Sequence, residues 1–77
     1  MEPEVAFGEV LRELRKEQGL SQERLALEAG VERNYISLLE LGKNSASLKM
    51  IFKLARVLGA QPSEILHQVE ERMIPDR

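Results

Sequence analysis

Residues 21–40 constrain the fold of this chain more than any other segment. Ser21 is a favourable N-cap, which predicts a helix that begins at Gln22 and extends to about residue 29. Gly30 follows, and glycine readily adopts the left-handed conformation that ends helices. Apolar residues at helical spacing then predict a second helix over about 33–41. The segment is therefore expected to fold as two short helices joined by a tight turn.

Two helices that cross steeply at such a turn form a helix-turn-helix, and the second helix of this motif enters the DNA major groove. The outward residues of that second helix are Arg33, Asn34 and Ser37. Arg33 is the strongest candidate for base readout, because its planar fork can bind O6 and N7 of guanine together. The alternative interpretation is that Arg33 is a solvated surface arginine beside Glu32. Asn34 can pair with adenine, or it can contact only a phosphate or water.

The rest of the chain predicts an all-α domain. Helical spacing indicates further helices over about 3–18 and about 48–58, and a fifth that starts near residue 62 and is ended by Pro75. The whole chain, residues 1–77, is then one compact five-helix domain with a core over about 7–66 and a last helix reaching about residue 74. The residues expected to face this core are Phe7, Val10, Leu11, Leu14, Leu25, Ala26, Ala29, Ile36, Leu39, Leu48, Ile51, Leu54, Ala55, Leu58, Ile65 and Leu66.

The composition argues against several classes of protein. The chain has no cysteine and a single histidine, His67, so neither a disulfide framework nor a metal site is expected. No apolar run suits a membrane span and no signal-peptide pattern is present, so we expect a cytoplasmic protein without membrane contact. The sequence contains no glycine-rich phosphate loop and no triad-like arrangement, so no enzyme activity, cofactor or small-molecule ligand is expected.

The charge is unevenly distributed along the chain. The net charge of −2 counts against DNA binding, because nucleic-acid domains are usually basic. Residues 1–32 carry eight acids and four bases, whereas residues 33–56 carry five bases and only one acid, Glu40. Phosphates respond to the local field within a Debye length of about 8–10 Å, so the basic segment favours DNA binding locally. Ordinary charge scatter on solvated helices is the alternative.

Several segments together resemble Cro and lambdoid-repressor type DNA-binding domains, the xenobiotic-response-element (XRE) family. The resemblance covers roughly residues 7–66 and implies a lambda-repressor-like fold, no enzymatic activity and a homodimer on a palindromic operator. The segments that carry it are Leu11-Arg12-Glu13-Leu14-Arg15, Gly19-Leu20-Ser21-Gln22-Glu23-Arg24-Leu25-Ala26, Ala29-Gly30-Val31, Tyr35-Ile36-Ser37, Leu39-Glu40, Gly42-Lys43 and Leu54-Ala55-Arg56-Val57-Leu58-Gly59.

The resemblance also implies roles for single residues. Gln22 matches the glutamine that binds the DNA backbone and helps to position the recognition helix. Arg15 and Glu40 match a structural ion pair that ties the first helix to the recognition helix. The remaining matches are Arg33 and Asn34 at positions that read base edges, and Ser37 and Lys43 at positions near the DNA backbone.

Three more residues are candidates for the DNA-binding surface on physical grounds. Asn44, beside Lys43, can grip the flanking DNA backbone. Tyr35 can pack its ring while its hydroxyl reaches a phosphate, and Leu38 can touch a thymine methyl group. Leu38 and Leu41 on the outer side of the helix, with the acidic total charge, also keep open an alternative: a protein-binding module that reuses this fold.

The last helix offers a second surface. Its apolar stripe extends further than a small core needs, and Phe52 can join it from the fourth helix. We therefore expect a homodimer, since a chain this short buries only about 60% of its unfolded surface and would gain stability from association. The alternative is a loosely packed last helix on a monomer. The predicted interface residues are Phe52, Leu66, Val69, Met73 and Ile74.

Overall fold

The computed structural model describes residues 1–74, and within them the chain forms five α-helices and no strand. This architecture confirms the predicted all-α fold. The helices are α1 (Pro3–Glu17), α2 (Gln22–Ala29), α3 (Arg33–Glu40), α4 (Leu48–Leu58) and α5 (Pro62–Arg72).

The helix ends follow the local sequence signals. The Ser21 hydroxyl accepts a hydrogen bond from the Arg24 backbone N–H at 3.0 Å, which satisfies one of the free donors at the start of α2. Gly30 ends α2 in the left-handed conformation, with φ 72°. At the other end of the chain α5 stops at Arg72, slightly before the predicted residue 74. Pro75, predicted to end this helix, lies outside the described residues.

One core is shared by all five helices. Helix α1 packs against α3 and α5, and α2 packs against α3 and α4. The buried apolar residues are Ala6, Phe7, Val10, Leu11, Leu25, Ala26, Ala29, Ile36, Leu39, Leu54, Ala55, Leu58, Ile65 and Val69.

Two core predictions are wrong, because helical spacing alone does not say where the core ends. Leu48 is 69% exposed, because it is the first residue of α4 and lies beyond the part of that helix that packs inward. Leu66 is 44% exposed, because Ile65 and Val69 form the inner side of α5. Within residues 1–74, no helix combines the length and the apolar character that a bilayer-spanning segment requires.

Candidate nucleic-acid interface

Helix α3 has a fixed inner side and an exposed outer edge. Ile36 and Leu39 are completely buried in the core, whereas Arg33 and Asn34 are exposed in the first turn. Within the described residues, no ion pair engages the Arg33 guanidinium. The Arg33 side chain is thus available for an external partner while its helix is held from behind.

A buried polar network fixes the C-terminal end of α3 to α1. Arg15 donates from Nε to Glu40 Oε2 at 2.6 Å and from Nη2 to Glu40 Oε1 at 3.0 Å. The third donor of the fork, Nη1, reaches the Leu20 carbonyl oxygen at 2.8 Å. Bidentate pairing of this kind is directional, so it restricts the angle of α3 as well as its distance from α1.

Gln22 is a third member of the network. Its Nε2 donates to Glu40 Oε1 at 2.9 Å, which connects the first turn of α2 to the last turn of α3. The family resemblance predicts the ion pair but not the bond from Gln22 to Glu40. Within residues 1–74, every buried side-chain nitrogen and oxygen has a hydrogen-bond partner, so the network carries no unpaired charge.

The other predicted DNA-binding residues differ in how exposed they are. Lys43 and Asn44 are exposed in the loop that follows α3, whereas Ser37 and Leu38 are half-buried. Tyr35 is half-buried with its ring packed against the core, as the packing interpretation of that residue predicted.

The surface charge of this region is more basic than the residue count indicates. Glu40 is the only acid in residues 33–56, and its side chain is 4% exposed because it faces Arg15. The cations of the same segment lie at or near the surface: Arg33, Lys43, Lys49 and Arg56 are exposed and Lys53 is half-buried. The segment therefore presents cations outward while its one carboxylate is neutralised inside.

Comparison with known proteins agrees with this geometry. The sequence model of a family described as Helix-turn-helix matches residues 11–65. The chain belongs to this helix-turn-helix family. That membership confirms the resemblance drawn from the sequence, and it accounts for the α2–turn–α3 arrangement.

Named relatives in the helix-turn-helix family share both sequence and fold. The Control protein C.BamHI from Bacillus amyloliquefaciens is 41% identical over 61 residues, which cover 78% of this chain and 75% of that protein. The structure of the restriction-modification controller protein C.AhdI from Aeromonas hydrophila aligns with a TM-score of 0.78 at 47% identity, over 80% of this chain and 90% of that one. The structure of the clp gene regulator ClgR from Corynebacterium glutamicum aligns with a TM-score of 0.91 at 27% identity, over 95% and 78% of the two chains.

The predicted dimer interface divides into two groups in this helix-turn-helix fold. Phe52, Leu66 and Ile74 are 57%, 44% and 38% exposed. Val69 is only 7% exposed and belongs to the core, and Met73 is half-buried against it. Val69 therefore has too little free surface to serve as an interface residue, because the inner side of α5 is already covered by the core of its own chain.

An ion-pair cluster between α5 and α1 was not predicted. The Arg72 guanidinium donates to Glu9 Oε1 at 3.0 Å and also to Glu13 Oε1. The hydrogen bond to Glu13, with a smaller contribution from Glu9, raises the pKa of Arg72 above its ordinary value. Glu9 and Glu13 are four residues apart on one side of α1, but no local pattern indicates that the end of α5 lies over them.

Proposed function

We propose that this chain is a sequence-specific DNA-binding transcriptional regulator that acts as a homodimer on a palindromic operator. The observation that carries the proposal is the exposed edge of α3, where Arg33 and Asn34 project from a helix fixed on its inner side by the core and by Glu40. The names of the helix-turn-helix relatives support it, since they are control proteins and regulators.

In this proposal the first turn of α3 enters the major groove. Arg33 reads a guanine through O6 and N7, and Asn34 reads an adjacent base edge or a phosphate. Gln22 keeps its bond to Glu40 through one Nε2 hydrogen, while its other amide hydrogen and the free backbone N–H groups at the start of α2 donate to a phosphate. The remaining contacts to the DNA backbone come from Ser37, Lys43, Asn44 and the Tyr35 hydroxyl, with Leu38 near a thymine methyl group.

The homodimer is supported by the exposed apolar residues of α4 and α5. Phe52 lines an open cleft of about 530 Å³ with Ala60 and Pro62, where α4 turns into α5. Leu66 lines a smaller cavity of about 140 Å³ together with Phe7 and Ile51. Apolar side chains beside unfilled space gain most from a partner surface, because association removes both from water.

A selection from random duplex oligonucleotides tests the proposal directly. We expect an enriched motif with two inverted half-sites centred about 10 bp apart, or a multiple of that, because two recognition helices in successive major grooves are about 34 Å apart. Fluorescence anisotropy on the selected duplex then measures affinity against a scrambled duplex of equal length. No enrichment, together with no binding to any duplex at tens of micromolar protein and low salt, would overturn the proposal.

Replacement of Arg33 separates base readout from sequence-independent electrostatic attraction to DNA. Arg33→Ala should relax the preference at one position of each half-site, which corresponds to about 1–3 kcal/mol of lost discrimination. Arg12→Ala is the matched control, because it removes the same charge from an exposed site on α1. The control should weaken binding to all sequences alike. An equal loss on all sequences for Arg33→Ala would show that this arginine does not read a base.

The exposure of Leu41, at 62%, favours a second candidate function, a protein-binding module. The same titration distinguishes the two candidates. A module of that kind would leave the duplex unbound at low salt, where a regulator binds most tightly because fewer cations compete for the phosphates.

A further inference from the structure

Helix α1 approaches the end of α3 without a side chain between the two backbones at one position. Gly8 is buried in the middle of α1, where glycine costs about 0.5–1 kcal/mol relative to alanine and so needs a packing reason. A Cβ atom built at Gly8 would lie closest to the Leu39 carbonyl oxygen and 2.7 Å from the Glu40 carbonyl oxygen. Both atoms are backbone, so neither can rotate away as a flexible side chain would.

A second glycine repeats this contact one turn further along. Gly42, just after α3, has φ 74°, and a Cβ atom there would lie 2.9 Å from Val5 Cγ2 and 3.0 Å from Val5 Cα. Val5, Gly8 and Arg15 lie on one side of α1 at spacings of three and seven residues. That side of α1 therefore meets the end of α3 at three points: the backbone of Gly8, the Gly42 turn and the Arg15–Glu40 ion pair.

We propose that Gly8 and Gly42 are positioning residues for base readout, which set how closely α3 lies against α1 and hence where Arg33 is presented. This inference rests on the proposed function. An alanine at Gly8 would require about 0.7 Å of backbone movement to restore an ordinary contact with the Glu40 oxygen. Recognition geometry has to be held within about 0.5 Å, so a shift of this size is enough to misplace a bidentate hydrogen bond.

The test compares specific and non-specific binding in folded variants. Gly8→Ala should lower the ratio of operator affinity to scrambled-duplex affinity at least tenfold, while affinity for the scrambled duplex changes less than twofold. Backbone amide chemical shifts of residues 33–40 in the free protein should move as well, because α3 itself is displaced. A chain that merely lost stability would keep its ratio at a temperature where it is fully folded.

If Gly8→Ala does not fold, a matched pair of asparagine variants tests the same proposal. Gly42→Asn and Gly19→Asn share the strain of a positive φ, but among the described residues a Cβ atom at Gly19 would have no neighbour within 4 Å. Only Gly42→Asn should lower the affinity ratio, and Val5→Ala in that background should recover part of it because it removes Cγ2. This double-mutant comparison isolates the contact from the strain.

The outcomes separate this inference from the proposed function. A wild-type chain that binds operator and scrambled duplex equally would overturn the proposed function. A wild-type chain with clear preference, whose folded Gly8→Ala and Gly42→Asn variants keep that preference and unchanged α3 amide shifts, would overturn the positioning role alone.

Discussion

At the scale of single residues, Glu32 is a poor local fit between sequence and structure. It occupies the N-cap of α3 with φ −83° and ψ 148°, yet its side chain makes no capping hydrogen bond. Ser47, the N-cap of α4, does accept one from the Met50 backbone N–H at 3.1 Å. Glu32 therefore contributes only its negative charge near the positive end of the α3 dipole.

Restoring a capping side chain should stabilise the fold. We expect Glu32→Ser to exceed Glu32→Gln in free energy of unfolding by about 1 kcal/mol, because both variants lose the charge and only serine gains the cap. Urea denaturation at pH 7 measures this difference. Equal stabilities for the two variants would mean that the start of α3 needs no cap.

At the scale of elements, the Arg15–Glu40 pair decides how firmly α3 is held. Glu40→Ala leaves the nearly buried Arg15 guanidinium without its carboxylate, and breaking a buried pair from one side costs about 3–5 kcal/mol. We expect both thermal stability and operator affinity to fall, which calorimetry and anisotropy can measure on the same preparation. A loss of affinity at unchanged stability would show that the structural role assigned to the Arg15–Glu40 pair is wrong.

The Arg24–Glu28 pair provides a matched control for that experiment. It also joins an arginine to a glutamate at 2.6 Å, but its side chains are 60% and 40% exposed on α2. Exposed pairs of this kind contribute less than about 1 kcal/mol, so Glu28→Ala should change stability little. The comparison holds the residue types constant and contrasts a buried, bidentate pair between two helices with an exposed, singly bonded pair within one helix.

These elements also show how far the sequence predicts the fold and the site. The turn between α2 and α3 was predictable because the signals for it are local. Ser21 caps the start of α2, and Gly30 ends the same helix by its left-handed conformation. Leu48 was assigned to the core wrongly, because periodicity gives the side of a helix but not the limit of the core. The Gln22–Glu40 bond and the close approach at Gly8 connect residues far apart in sequence, and no local pattern encodes such contacts.

At the scale of the whole molecule, the distribution of charge matters more than its total. A chain of net charge −2 can approach DNA through Arg33 and Lys43, which are exposed on α3 and in the loop after it, because the single carboxylate of residues 33–56 is buried. If each subunit neutralises about three or four phosphates, the logarithm of operator affinity should fall with the logarithm of salt concentration with a slope of about −5 to −7. Anisotropy titrations over a series of salt concentrations measure this slope. A slope near zero would exclude the proposed phosphate contacts.

The dimensions of the subunit suit the proposed dimer. The chain measures 37 × 23 × 22 Å, so equivalent points on two subunits related by a two-fold axis can reach the spacing of about 34 Å between successive major grooves. Association through Phe52, Leu66 and Ile74 would also cover apolar surface that the subunit leaves exposed.

A charge placed in that apolar surface should break the dimer without unfolding the subunit. Leu66→Glu is expected to shift sedimentation from dimer to monomer with unchanged far-UV circular dichroism, because Leu66 is already 44% exposed and the glutamate stays solvated in the monomer. Leu27→Glu, at a position 70% exposed on α2, is the control and should remain dimeric. Operator affinity should then fall in Leu66→Glu because each half-site must be bound separately. A Leu66→Glu chain that still sediments as a dimer would place the interface elsewhere and leave Leu66 as a solvated residue of α5.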